Sequence, residues 1–283
     1  MFNFKQLPNL LIMKISKLLL SFVLMLVMAG CQKLVVETQN ANSSSPLTSN
    51  PSDSSEHPID SILVDASKDG GVWWFPQAYP SFSDSADHQG KALADYLRSL
   101  GHHVDELPRG AVITDELLSN YSKIIRAAPF FEYSDEELAS YKNFMNKHGA
   151  ILLFQDHLSY DSNDKISKFL GINFKGAIEG TITNFASHEI TQNIDSFPFI
   201  AGAVVTNTEN NPNIIVLGSI SKTNYTVLNG ADPFNGQVPN IDPPVMGLVT
   251  SFPNTKIFFI GDMNGMESVP QPLTQNIVNW LFK

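Results

Sequence analysis

The sequence predicts an α/β domain built on a doubly wound, mostly parallel sheet that carries a mixed β extension. Three observations predict it. Short apolar runs such as Ile62-Leu63-Val64, Ala150-Ile151-Leu152-Leu153-Phe154 and Lys256-Ile257-Phe258-Phe259-Ile260 each end in a polar loop, as strands buried on both faces do. Segments with helical periodicity and caps separate the earlier runs, and strand–helix alternation with short crossovers selects parallel winding. Between residues 176 and 250, β-type runs succeed one another without helical segments, which predicts the extension.

Taken in order, Ile62-Leu63-Val64 ends in Asp65 and opens a long loop over residues 67–83. A helix is expected over 85–100, because Ala86, Leu93, Ala94, Leu97 and Leu100 share a face and Gly101 supplies a stop. His88-Gln89-Gly90 falls at its start. His103-Val104-Asp105-Glu106-Leu107 reads as an edge strand, and Thr114 caps a short helix over 115–120. Lys123-Ile124-Ile125-Arg126-Ala127 is the next strand. Ser134-Asp135-Glu136-Glu137 has the spacing of a capping box before a helix to Lys147, with Gly149 as its stop. Asp164 to Leu170 reads as a short helix ended by Gly171. Thr181-Ile182-Thr183, Ile214-Ile215-Val216-Leu217 and Tyr225-Thr226-Val227-Leu228 supply the extension. Leu273 to Phe282 closes the chain as a helix with Ile277, Val278, Leu281 and Phe282 facing inward.

The amino-terminal region has a different character. Lys14-Ile15-Ser16-Lys17 is a basic stretch, residues 18–28 are almost wholly apolar, and Ala29-Gly30-Cys31 follows. This run is short for a membrane span, which needs about 20 residues, and fits a secretory leader. From 37 to 57 the chain is rich in Ser, Pro and Asn, which predicts a flexible tether. The expected organisation is therefore a leader over 1–30, a tether over 31–57 and an α/β domain over 58–283. With 18 basic against 28 acidic side chains the formal charge is −10, and the leader holds Lys5, Lys14 and Lys17 but no acid. The remainder is more acidic still and lacks the Lys/Arg cluster that nucleic-acid binding requires.

Ala29-Gly30-Cys31 resembles the lipobox of bacterial lipoproteins, although Met28 stands where that family usually has Leu, Val or Ile. The resemblance implies cleavage before Cys31 and acylation (palmitate among the chains) of its sulfur and new amino group. Cys31 is the sole cysteine, so thiol catalysis is not expected. Gln32 follows it rather than Asp, which by resemblance to lipoprotein sorting favours the outer membrane of a bacterial envelope. The partners expected are then the lipid bilayer through Cys31, a small polar ligand or glycan, and an envelope protein.

Ile62 to Asp65, Tyr121 to Ala127, Ser134-Asp135-Glu136-Glu137-Leu138 leading to Gly149-Ala150-Ile151-Leu152-Leu153, Gly261-Asp262 and Asn276-Ile277-Val278-Asn279-Trp280-Leu281 together resemble the class I glutamine amidotransferase-like superfamily. The likeness is to its ThuA-like and gliding-motility ABC-transporter auxiliary branches, which implies a flavodoxin-like core over roughly 60–283. In amidotransferases a nucleophilic cysteine follows the strand equivalent to residues 150–154. Gln155-Asp156-His157 stands here, so glutaminase activity is not expected.

Ligands of open parallel sheets bind at the carboxyl ends of the strands. The residues falling there are Asp65, Ser67, Lys68 and Asp69, the Ala128-Pro129-Phe130 corner, Gln155-Asp156-His157, and Asp262 with Asn264. Asp156 and His157 have the chemistry of an acid/base pair for a glycan-directed or metal-assisted hydrolase. Asp65, Asp69, Asp156, His157 and Asp262 could alternatively hold a divalent cation such as Mg²⁺ or Ca²⁺; no other cofactor is indicated. Strand-end carboxylates that merely accept backbone N–H groups are the third account. Gly70-Gly71-Val72-Trp73-Trp74-Phe75-Pro76 offers planar faces for sugar rings or a protein partner. The same aromatics could instead plug the domain.

Overall fold

The computed structural model describes residues 61–74, 87–147, 149–156, 164–266 and 271–283. The leader, the tether, Cys31 and His157 lie outside them. The strands are β1 (Ser61–Asp65), β2 (His103–Glu106), β3 (Lys123–Arg126), β4 (Gly149–Phe154), β5 (Phe174–Phe185), β6 (Phe197–Val205), β7 (Ile214–Val227), β8 (Pro244–Val249) and β9 (Thr255–Ile260). The helices are α1 (Lys91–Ser99), α2 (Asp115–Leu118), α3 (Asp135–Asn146), α4 (Lys165–Phe169) and α5 (Pro272–Phe282). All belong to one compact unit, Ser55–Lys283.

The strands form a nine-stranded sheet in the order β2-β1-β3-β4-β9-β8-β7-β5-β6. From β2 to β9 every pairing is parallel; from β9 to β6 every pairing is antiparallel. The expectation of a parallel sheet with a β extension is met in part: both are present, but the extension is antiparallel throughout and as large as the parallel part, so the sheet is not mostly parallel. The sheet is divided evenly, and β9 is the seam, parallel to β4 and antiparallel to β8. Two strands were hidden in the sequence. Pro198 and Gly202 interrupt β6, and β8 begins at Pro244, directly after Asp242-Pro243. Conversely, the runs at 214–217 and 225–228 belong to one element, β7, whose pairing is broken by register shifts.

Alternation along β1 shows how the parallel half is covered. Ile62 and Val64 pack with Leu93 and Leu97 of α1 and with Ile277 and Leu281 of α5. Leu63 packs with Leu118 of α2, Tyr141 and Phe144 of α3, and Ile166 of α4. Helices thus lie on both faces, and each fully buried aliphatic side chain contributes about 1.5–3 kcal/mol. The capping box at Ser134 is complete, with Ser134 and Glu137 exchanging side-chain and backbone bonds. Thr114 Oγ1 accepts from Leu117 N. Gly101 and Gly171 take positive φ at the ends of α1 and α4.

Two helix boundaries differ from expectation. Residues 87–90 are not helical and α1 starts at Lys91, because Gly90 is pressed against the Trp73 indole. Gly149 is not a left-handed stop but the first residue of β4; a Cβ there would crowd the Ser122 carbonyl at 2.9 Å. Among the described residues no helix is long and apolar enough to cross a membrane.

Candidate ligand-binding site

The loop after β1 is organised by one carboxylate. Asp69, buried, accepts from the backbone N–H groups of Gly71 (3.1 Å), Val72 (2.8 Å), Trp73 (2.8 Å) and Trp74 (3.2 Å). Arg109, from the segment after β2, adds Nε at 3.1 Å and Nη2 at 2.9 Å, and also donates to the Trp74 carbonyl. Gly71 adopts φ 128°, a conformation glycine permits, as the chain wraps around this acceptor. A second link joins the loop to the segment after β3, where Phe130 N and Phe131 N both donate to the Lys68 carbonyl (2.8 and 3.1 Å).

These three loops enclose a cavity of about 500 Å³ lined by Ser67, Lys68, Asp69, Gly70, Arg109, Gly110, Phe130, Phe131 and Glu132. The chain runs from β1 outward to β2 and then returns to β3 on the other side of β1. The cavity therefore sits at the topological switch point, the crevice where open α/β sheets bind ligands. Lys68 Nζ is tied to Glu137 Oε1 at 2.8 Å and lies 5.6 Å from the Tyr133 ring centre. Burial pushes the Glu137 carboxyl up, but Lys68 and the N–H groups of Ser134 and Ile113 outweigh it and hold it below the usual range. Ser67 is 1% exposed, and among the described residues its Oγ has no hydrogen-bond partner. Phe130 and Phe131 are 50% and 56% exposed, with rings edge to face at 5.1 Å.

Behind the cavity the strand ends form a buried polar row. Asp65 accepts from Ser67 N (3.0 Å), Tyr133 Oη (2.8 Å) and Tyr141 Oη (2.6 Å). Burial first, and then the charge of Asp65, pushes both phenols well above their usual range. Arg126, opposite Asp65 in register, pairs with Asp164 at 2.9 Å. Gln155, just after β4, is fully buried, and its amide has no hydrogen-bond partner among the described residues. Asp156 is buried, as is Asp262, which accepts from Ile200 N and Asn264 N (2.6 and 2.7 Å). Gln155, Asp156, Asp262 and Asn264 are not among the residues lining the cavity. Among the described residues no group of three or more His, Cys, Asp or Glu is placed to hold a metal ion; Asp65, Asp69 and Asp262 each have their oxygens turned to protein donors.

The structure thus gathers Ser67, Lys68, Asp69, Gly70 and Phe130 of the expected rim at one cavity; Asp65, Gln155, Asp156, Asp262 and Asn264 do not line it, and His157 lies outside the described residues. The tryptophans differ most from the sugar-platform expectation: Trp73 and Trp74 are 0% and 1% exposed. Trp73 Nε1 donates to Glu106 Oε2 (2.8 Å) and Trp74 Nε1 to the Leu107 carbonyl (3.0 Å). The His88 ring lies 4.4 Å from that of Trp74, and its Nε2 lies 3.1 Å from Glu106. Indoles locked this way plug the α1 face and present no surface to a ligand. The aromatic surface belongs to Phe130 and Phe131 instead, together with Arg109 and Glu132. Of these the sequence marks only the Ala128-Pro129-Phe130 corner as a strand end.

No protein-family model matches the chain, and no curated protein matches it. Among solved structures it is similar to the mmIFT52 N-terminal domain, at 17% identity and TM-score 0.55, over 78% of this chain and 95% of that one. It is also similar to a ThuA-like protein from Bacteroides uniformis ATCC 8492 (19% identity, 82% and 94% of the two chains, TM-score 0.47). A ThuA-like protein from Parabacteroides merdae ATCC 43184 is a further neighbour (12% identity, 80% and 90%, TM-score 0.48). At these identities the likeness is one of fold.

Proposed function

We propose that this chain is a lipid-anchored protein of a bacterial envelope whose α/β domain binds a small polar ligand, carbohydrate first among the classes considered. The binding site is the crevice between the carboxyl ends of β1 and β3. The observation that carries this reading is the cavity of about 500 Å³ at the switch point, within the range of small-molecule sites. Its half-exposed Phe130 and Phe131 supply the planar apolar faces that sugar rings pack against. Acylation of Cys31 supplies the anchor, since two or more chains hold a protein stably at a bilayer.

A glycan array followed by titration calorimetry on the purified protein tests the binding reading. Phe131→Ala should weaken any ligand found by about tenfold, the scale of one lost stacking contact; an unchanged affinity would place the site elsewhere. Mass spectrometry of the membrane-extracted protein should find a chain that begins at an acylated Cys31; an unacylated chain still carrying residues ahead of Cys31 would count against the anchor. The hydrolase reading depends on Asp156 and His157. Asp156 lines no part of the cavity, so binding is the reading put forward. Turnover of a glycan that disappears in the Asp156→Ala/His157→Ala variant would reverse that order.

A further inference from the structure

We infer that the groove between β5 and β7 is a second ligand site, shaped for an uncharged saccharide. It shares no lining residue with the cavity beside β1, so it stands or falls apart from the reading of that cavity.

The groove arises from a break in strand pairing. Glu179 pairs with Thr226 and Gly180 with Tyr225, but the next pair is Ile182 with Ile220. Thr181 therefore stands opposite residues 221–224, an excursion of β7. Along a regular strand, neighbouring side chains point to opposite faces; a bulge bends the strand and re-aims them. Here Thr223, Asn224, Tyr225 and Thr226, consecutive in sequence, all line one hollow of about 300 Å³ with Glu179, Gly180 and Thr181. That volume is at the lower end of small-molecule sites. The excursion is braced from outside. Lys222 N donates to Asp242 Oδ1 at 2.9 Å, Lys222 Nζ to the Asn240 carbonyl at 3.0 Å, and Asn184 Nδ2 to Asp242 Oδ2 at 2.6 Å. Gly180 lets β7 close on β5, since a Cβ there would stand 3.0 Å from Ile220 Cγ2 and 3.2 Å from the Asn224 carbonyl oxygen.

The chemistry of the lining narrows the ligand. No cation lines the groove, and Lys222, within the excursion, is turned to Asn240. A phosphate, sulfate or carboxylate thus finds no counter-charge. Glu179 is the one carboxylate of the lining and is exposed, so its pull on a cation is screened by salt. An apolar ligand finds little besides the Tyr225 ring. What the groove offers is a run of neutral groups that both donate and accept: the hydroxyls of Thr181, Thr223 and Thr226 and the amide of Asn224. No hydrogen bond among the described residues engages the side chains of Glu179, Thr181, Asn224 or Thr226. Tyr225 is half-buried, with the Phe234 ring 6.3 Å behind it. Burial first, and then Asp232, pushes its phenol above the usual range, so it remains a hydroxyl donor beside a planar face. Adjacent hydroxyls of a sugar, each donor and acceptor, match this set without bringing charge.

The test is hydrogen–deuterium exchange of the full-length protein in detergent, read by mass spectrometry at about 0.15 M salt. The probes are two matched pairs: the trimer of N-acetylglucosamine beside its deacetylated, cationic form, and methyl-esterified trigalacturonate beside the free, anionic acid. A neutral trimer should slow exchange over residues 176–184 and 220–228, and its charged counterpart should need about tenfold more ligand for equal protection. The Asn224→Ala/Thr226→Ala variant should weaken the neutral trimer about tenfold, the scale of one or two hydrogen bonds. Its urea midpoint should match the parent's, because both side chains are exposed and surface substitutions cost little. Protection confined to residues 67–70, 109–110 and 130–132 would support the cavity and overturn the groove. Undiminished protection in the double variant, a charged trimer that protects as well as its neutral counterpart, or no protection by any of the four also overturns it.

Discussion

At the scale of the residue, Asp69 decides more of the local structure than any other side chain near the cavity. One carboxylate orients Gly71 through Trp74 and fixes Arg109 beside them. The sequence marks Asp69 as a strand-end carboxylate, open equally to ligand, metal or backbone. Only the wrapped loop geometry shows that backbone and Arg109 use its oxygens. Asp69→Ala leaves Arg109 and several N–H groups without their acceptor. Removing one partner of a buried ion pair costs about 3–5 kcal/mol. The expected outcome in urea unfolding is a lower midpoint with an unchanged slope, accompanied by a red-shifted tryptophan emission as Trp73 and Trp74 meet water. A loss below about 1 kcal/mol would show that the loop is held by apolar packing alone.

At the scale of the element, two helices are joined to the cavity's supporting structure through glutamates. Glu137, third residue of α3, closes the capping box and also holds Lys68. Glu106, last residue of β2, receives Arg98 of α1, Trp73 Nε1 and the His88 ring. Burial pushes the Glu106 carboxyl up, and His88, Arg98 and Trp73 more than reverse that, so it too is held below the usual range. A carboxylate whose pKa is depressed by folding stabilises fully above its unfolded pKa. That contribution is lost as pH falls through the lower, folded pKa. Thermal unfolding should therefore show a plateau from neutral pH down to the ordinary carboxylate range and a decline below it. Glu137→Gln should remove part of that decline, because the neutral amide no longer titrates. A variant as acid-sensitive as the parent would assign the decline to other groups.

At the scale of the whole molecule, the parallel half was legible and the antiparallel half was only partly so. Parallel strands buried on both faces are written as unbroken apolar runs such as residues 150–154, and their helices carry local caps at Thr114, Ser134 and Asp164. In the other half the pairing is long-range and bulged. Ala201 takes φ 61° inside β6, and Pro198, Gly202 and Pro244 break the alternation that would announce a strand. The candidate site was legible in the same proportion. Ser67 to Gly70 could be placed by the switch-point rule, but Arg109, Phe131 and Glu132 reach the cavity through loops whose course depends on Asp69. The burial of Trp73 and Trp74 depends on Glu106 and Leu107, more than thirty residues away, and no local pattern encodes it.

The two halves of the sheet are joined at its centre through β9 and again where β6 folds back onto the end of β9, and the second junction is where the molecule should be most sensitive. Ala203 N donates to the Gly261 carbonyl at 2.8 Å, Gly261 N donates to the Val245 carbonyl at 2.9 Å, and Ile200 N reaches Asp262 at 2.6 Å. Chains this close leave no room for a side chain, since a Cβ on Gly261 would overlap the carbonyl oxygen of Ala203. A backbone atom cannot rotate away as a side chain can, so Gly261→Ala must separate the strands. The expected loss is about 3 kcal/mol or more, the range of severe overpacking. Gly110→Ala is the matched control: Gly110 has φ +82° and nothing within 4 Å of an added Cβ, so it should lose only the left-handed backbone cost of about 1–2 kcal/mol. If both variants unfold at the same urea concentration, close approach at Gly261 does not hold the halves together. If Gly261→Ala alone unfolds in two steps, with tryptophan emission and far-ultraviolet dichroism no longer coincident, the junction at β6 and β9 is what makes the nine strands one cooperative sheet.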